Sequence, residues 1–201
     1  MFPSTDRSLG ISKFWSWFDE NKSHYMDSES DWDPDLAMLQ EKLDEVDNSI
    51  QVEITTDMKS FFELIITANG FIELFPVVRE VVDKAPEIEG WTIVAFKQPL
   101  NSDFILQNEY FEVKSTDLYF LPYLEDDYLE IVIYGENLDH NDDEILIYYG
   151  RKILIDVIGE YDAATKVNSC FMYDMEDMEK ESLMPLKQLK GYIDGLFNNS
   201  N

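Results

Sequence analysis

Residues 60–97 read SFFELIITANGFIELFPVVREVVDKAPEIEGWTIVAFK, and this stretch decides the fold class. Its first eight residues, 60–67, are apolar at both alternations, the pattern of a strand covered on both faces and therefore central in a sheet. Asn69-Gly70 ends the strand with turn chemistry. A helix follows from about Glu73 to Lys84, with Leu74, Val77, Val78, Val81 and Val82 on its packing stripe. Pro76 falls in the first turn, where its missing N–H is harmless, and Ala85-Pro86 stops the helix. Trp91 to Lys97 is the next strand, closed by Pro99.

Working outward, Ile50, Val52 and Ile54 alternate with Gln51, Glu53 and Thr55, a half-buried strand that Thr56-Asp57-Met58-Lys59 joins to the central one as a hairpin. Further upstream the period becomes helical. Ile11, Phe14, Trp15, Phe18 and Tyr25 share one face, and a second helix opens at Asp33-Pro34 with Leu36, Leu39, Leu43 and Val46 inward. Downstream, three strands are expected at about 110–114, 117–122 and 128–134. In the last of these, Leu129, Ile131 and Ile133 alternate with Tyr128, Glu130, Val132 and Tyr134. Asn141 and Glu144 form a capping-box pattern that opens the longest helix, 142–158, apolar nearly all round and expected to be the most buried. A strand at Val167–Tyr173, an acidic loop at 174–181 and a C-terminal helix burying Leu183, Leu186, Leu189, Ile193 and Leu196 complete the chain. Strands arrive in runs, which predicts an α+β fold: a mainly antiparallel sheet of six to seven strands, an N-terminal helical pair, a long buried helix and a C-terminal helix packed on it. The expected organisation is one domain, 1–201, with a helical segment at 1–48 and a sheet-and-helix core at 49–201.

Charge then limits the partners. The 201 residues hold 42 Asp and Glu against 15 Lys and Arg, a formal charge of -27. A nucleic-acid or anionic-membrane binder neutralises phosphates with basic side chains, so both are excluded as expected partners. The 45% hydrophobic and 14% aromatic content separates the chain from acidic disordered sequences. No apolar run reaches transmembrane length, the first ten residues lack a signal-peptide pattern, and Cys170 is the single cysteine, so a cytoplasmic location is expected.

Motifs that carry chemistry are few. Aspartates 31, 33 and 35 imitate a calcium loop, but its sixth and twelfth positions hold Leu36 and Lys42. Asp139, Asn141 and Asp143 fail in the same way, with Glu144 and Gly150 at those positions. His24 and His140 belong to no paired arrangement, and Cys170 in an apolar strand reads as a small core residue. No catalytic residue, metal or cofactor is expected. Glu160, Tyr161 and Asp162 form a polar cluster after the long helix, a candidate partner-binding group whose plainer reading is a helix C-terminus turning into a strand. Trp17, off the buried stripe, and Trp32 are candidate anchors for a partner, because Trp and Tyr dominate interface hot spots.

The pattern strand, Ala68-Asn69-Gly70, Phe75-Pro76, Ala85-Pro86, Gly90-Trp91 and a strand ending Lys97-Gln98-Pro99 resembles an uncharacterised family of small acidic bacterial cytosolic α+β proteins, a domain of unknown function. Phe14-Trp15-Ser16-Trp17-Phe18, Ile158-Gly159-Glu160-Tyr161-Asp162 and the Leu186–Leu189 spacing are similar to that pattern too. The resemblance implies a fold and no catalytic residue. Size and acidity also resemble bacterial immunity proteins that neutralise nuclease toxins. The functional expectation is therefore a non-enzymatic interaction or regulatory protein with a basic or neutral protein partner. The alternative is a carboxylate- or divalent-metal-dependent enzyme with a cleft between helix and sheet.

Overall fold

The computed structural model describes residues 4–26, 32–56, 62–100, 103–107, 111–138, 143–175 and 182–198. The chain divides into two units, Met1–Lys97 and Gln98–Asn201. The helical segment 1–48 shares the first unit with the first strands.

In the first unit, helix α1 (Ser4–Asn21) and a 3-10 turn (Lys22–Met26) precede α2 (Trp32–Asp44), strands β1 (Gln51–Thr56) and β2 (Phe62–Thr67), helix α3 (Phe75–Asp83) and strand β3 (Trp91–Ala95). The sheet order is β1-β2-β3, so β2 is central as its two apolar faces require. β1 runs antiparallel to β2, whereas β3, reached through α3, runs parallel to it. A helix carries the chain back to the end where the strand began, which is why a strand–helix–strand unit yields a parallel pair. Ile11, Phe14, Trp15 and Phe18 are buried on α1, and the Trp15 indole N–H donates to the Val81 carbonyl of α3 at 2.9 Å. Phe18 meets Trp91 edge to face at 5.0 Å, and Phe62 lies 5.2 Å from the same ring. Helix α2 is tied to β1 by one amide: Gln40 Nε2 donates to the Ile50 carbonyl at 3.0 Å, and its Oε1 accepts from the Val52 N–H at 3.0 Å.

The second unit opens with a short hairpin, β4 (Ile105–Gln107) and β5 (Glu112–Lys114). There follow β6 (Tyr119–Glu125), β7 (Tyr128–Gly135), helices α4 (Asp143–Ile158) and α5 (Glu160–Lys166), β8 (Ser169–Asp174), β9 (Met184–Pro185) and helix α6 (Leu189–Asn198). The larger sheet has the order β8-β7-β6-β9. β6 is antiparallel to both neighbours, and β8, reached through α4 and α5, is parallel to β7. Phe120, Leu129, Ile131, Ile133 and Met172 form one core with Leu146, Ile153, Leu154 and Ile158 of α4 and Leu189 and Ile193 of α6.

The fold is α+β with mixed sheets, an N-terminal helix pair and a C-terminal helix. It departs from expectation in four places. The strands are divided among three sheets rather than gathered in one, and each larger sheet contains a parallel pair. Helix α4, with 16 residues, is shorter than the 18-residue α1, and it is one-sided, since Ile147 and Tyr148 are exposed. Gly159, at φ 86 and ψ 153, ends α4 and starts α5, so Glu160-Tyr161-Asp162 opens a helix instead of closing one. Leu183 precedes β9 and a 3-10 turn (Leu186–Gln188), outside the C-terminal helix. Asn141 of the expected capping box and the loop 176–181 lie outside the described residues.

Candidate interaction surface

Residues of the expected site stand on separate elements. Trp17 is half-buried on α1, and Trp32 is the first residue of α2, its side chain outside the described residues. Glu160, Tyr161 and Asp162 are consecutive in α5, about 100° apart around the axis, so their side chains diverge. Glu160 is fully buried and engaged, Tyr161 is exposed, and Asp162 pairs with Lys166 at 3.0 Å along the helix. A shared binding centre is not built from these three.

The surface that does combine aromatic rings with acids is the second face of the β6–β7–β8 sheet. Side chains alternate across a pleated strand, so residues that face the α4 and α6 core leave a second set pointing the other way. On β6 that set is Tyr119, Leu121 and Tyr123; on β7 it is Tyr128, Glu130, Val132 and Tyr134; on β8 it is Ser169, Phe171 and Tyr173. The register aligns them in rows: Tyr119, Tyr134 and Tyr173; Leu121, Val132 and Phe171; Tyr123, Glu130 and Ser169. Val132 and Tyr134 are buried in a small cluster with Met175 and Leu183, against which Tyr119 and Leu121 pack. Toward its margins the face opens: Tyr123 is 49% exposed, Tyr128 50% and Tyr173 47%. Phe171 and Tyr173 stack with centroids 6.3 Å apart.

Polar groups on this face are organised around Glu130. The Tyr128 hydroxyl donates to Ser169 Oγ at 3.2 Å, and Ser169 Oγ donates to Glu130 Oε2 at 2.9 Å, holding one carboxylate oxygen among the rings. Burial pushes the Tyr134 hydroxyl above the usual phenol range, and its neighbours Tyr123, which is also its hydrogen-bond partner, and Tyr173 push it the same way. Tyr134 is therefore a neutral hydroxyl at physiological pH. Glu125, the last residue of β6, and Asp126 and Asp127 of the β6–β7 turn are exposed at the edge of the face, and Asp174 ends β8, accepting a hydrogen bond from the Leu138 N–H. Exposed rings toward the margins and carboxylates at the β6–β7 end can stack on, and hold, cationic groups.

Chemistry of other kinds has less to work with. Burial pushes the Cys170 thiol up to about 12, and its Sγ donates to the Gly150 carbonyl at 3.4 Å, a poor setting for a thiolate nucleophile. Asp44, Glu45 and Asp47 line a recess of the first unit together with Arg7 and Lys13. These carboxylates are taken up locally: Arg7 lies 3.3 Å from Asp47, Lys42 2.7 Å from Glu45, and Gln40 2.7 Å from Asp44. The hydrogen bond from Lys42 holds Glu45 below the usual carboxylate range, the wrong direction for a general acid. Glu63 on β2 is raised by burial, but the residues opposite it are Thr55 and Thr92. Among the described residues, no three His, Cys, Asp or Glu side chains gather as metal ligands, and no helix is long and apolar enough to cross a membrane.

The tyrosine face was missed by sequence reasoning although its signal is present. The β7 residues between Leu129, Ile131 and Ile133 are Tyr128, Glu130, Val132 and Tyr134, three of them apolar or aromatic, which marks a strand with two non-polar faces. No protein-family model, curated protein or solved structure matches the chain.

Proposed function

We propose that this protein is a non-enzymatic interaction protein that binds a basic protein partner on the aromatic face of β6–β8, in the manner of an acidic immunity protein. One observation carries the reading: Tyr123, Tyr128 and Tyr173 are about half exposed on a sheet face whose rim is Glu125, Asp126 and Asp127. Tyrosine offers large contact area at low conformational cost, and carboxylates steer and orient a cationic partner. Tyr123→Ala/Tyr173→Ala and Glu125→Gln/Asp126→Asn/Asp127→Asn variants test it, using calorimetric titration with an arginine-rich basic peptide at low and moderate salt. Wild type should bind with strong salt dependence. The tyrosine pair should weaken affinity about tenfold or more, the scale of one hot-spot loss, and the rim variant should mainly flatten the salt dependence. Equal binding by all three proteins refutes the assignment to this face.

A further inference from the structure

We propose that β8 is a docking edge, at which an extended partner segment with basic residues at alternate positions adds to the sheet as a further strand. This rests on the reading of the β6–β8 face given above and specifies how the partner is held. β8 ends the sheet order β8-β7-β6-β9, and its six residues pair with β7 without a bulge, from Glu130↔Ser169 to Gly135↔Asp174. Natural edge strands are protected by proline, inward charges, bulges or short length. The opposite edge of this sheet is the two-residue β9 with Pro185. In the first unit, β1 is covered by the Gln40 amide, and β3 stops where Phe96 turns left-handed at φ 69. Residues 169–173 read SCFMY, with none of these devices. The flanking Asn168 and Met175 N–H groups turn back to Leu129 and Gly135 of β7, and among the described residues no backbone group of another element pairs with the outer side of 169–173.

The occupant is identified by charge. A second copy of a chain carrying -27 is repelled from this edge, whereas a cationic segment is attracted. A strand added beside β8 places every second side chain in the rows that end in Ser169, Phe171 and Tyr173, beside the stacked rings and two strand spacings, about 10 Å, from Glu130 of β7, so that a long Arg or Lys lies on a ring and extends toward the carboxylate. The intervening side chains fall beside Cys170 and Met172, on the α4 side, where Met172 belongs to the apolar core and Cys170 packs against it. Apolar side chains fit there, and an unpaired charge would be desolvated. Alternation is therefore the recognition signature: basic toward the tyrosines, uncharged toward α4.

A ten-residue peptide with arginine at alternate positions and valine or threonine between them tests this. Its controls are the same composition with the arginines in one block, and the parent sequence N-methylated at alternate residues in either of the two phases. The parent should bind and slow amide exchange within 169–173. One methylation phase, the one that removes the donors facing β8, should cost about tenfold or more while the other costs little, since main-chain hydrogen bonds supply the affinity of an added strand. The blocked peptide should bind more weakly. Binding that is insensitive to methylation in both phases, or that leaves 169–173 unprotected, overturns the edge proposal; if the tyrosine-pair variant still weakens that binding, the face reading stands without it. Failure of the parent peptide to bind overturns the edge proposal as well, and the blocked peptide, if it binds wild type but not the tyrosine-pair variant, preserves the face. Protection of 169–173 by self-association without peptide assigns the edge to a second copy and also overturns the proposal.

Discussion

Gly150 sits where α4 crosses β8, and replacing it with alanine sets two effects of known size against each other. In a helix interior alanine is favoured over glycine by about 1 kcal/mol. At Gly150, however, an added Cβ would lie 3.2 Å from Met172 Cβ, 3.3 Å from the Met172 backbone N and 3.3 Å from the Phe171 carbonyl carbon. Two of these three atoms are β8 backbone and the third is attached to it, so none can swing aside without moving the strand that pairs with β7. Overpacking of this kind costs about 1–3 kcal/mol, so Gly150→Ala should be net destabilising by roughly 1 kcal/mol. Gly195 in α6 is the internal control, because nothing lies within 4 Å of its added Cβ. Gly195→Ala should stabilise by up to about 1 kcal/mol. Urea titrations followed by far-UV circular dichroism separate the two. With a slope of about 1–3 kcal/mol per molar, the midpoints should move in opposite directions, by several tenths of a molar each. If Gly150→Ala raises the midpoint as Gly195→Ala does, the close approach of α4 to β8 is not a constraint and the packing argument fails.

Gln40→Leu should destabilise the first unit by about 1–3 kcal/mol, because the Val52 N–H and Ile50 carbonyl lose their partner without gaining water; amide exchange at Val52 should accelerate, and an unchanged rate would show that α2 does not protect β1. Tyr25 is raised to about 12 by burial and then by the nearby Asp35, so the folded state holds its proton more tightly than the unfolded chain does. Its stabilising contribution is complete below pH about 10 and disappears as pH rises through about 12, a loss on the order of 2 kcal/mol. Tyr25→Phe should remove that part of the alkaline loss, and an unaltered pH profile would contradict the assignment. Cys170, with its thiol raised to about 12 by burial, should react with a disulfide reagent at neutral pH far more slowly than a free cysteine, and at the ordinary rate once urea unfolds the chain; a fast native reaction would refute its burial.

Segments with strong periodicity were legible. β2, α3 and β3 lie within a few residues of where alternation, Pro76 and Asn69-Gly70 put them. Their pairing was harder to read: β3 lies parallel to β2 because a helix intervenes, and the same rule applies to β7, α4 and β8, yet runs of strands suggested one mainly antiparallel sheet. Division into three sheets depends on contacts between distant residues, which local pattern does not encode. Gly159 resembled an ordinary helix stop, and only its backbone angles distinguish a stop from a restart into α5. The candidate surface was missed because the aromatics chosen were Trp17, Trp32 and Tyr161 rather than the tyrosines of the sheet. Trp15 and Trp91 are core residues, the first bonded to α3 and the second packed among Phe18, Tyr25 and Phe62. The exposed rings belong instead to a sheet face whose second row, Tyr128, Glu130, Val132 and Tyr134, was seen only as an alternation and not as a surface.

The division of the chain at Lys97/Gln98 has a spectroscopic consequence. All four tryptophans precede it, and every one of the eleven tyrosines except Tyr25 follows it. Each unit thus carries its own intrinsic chromophore. Red-edge excitation selects the indoles of the first unit, and tyrosine emission and absorbance report the second, so loss of structure in the two halves can be timed separately on unlabelled protein. A ligand that settles on the β6–β8 face should perturb the phenol bands of the second unit.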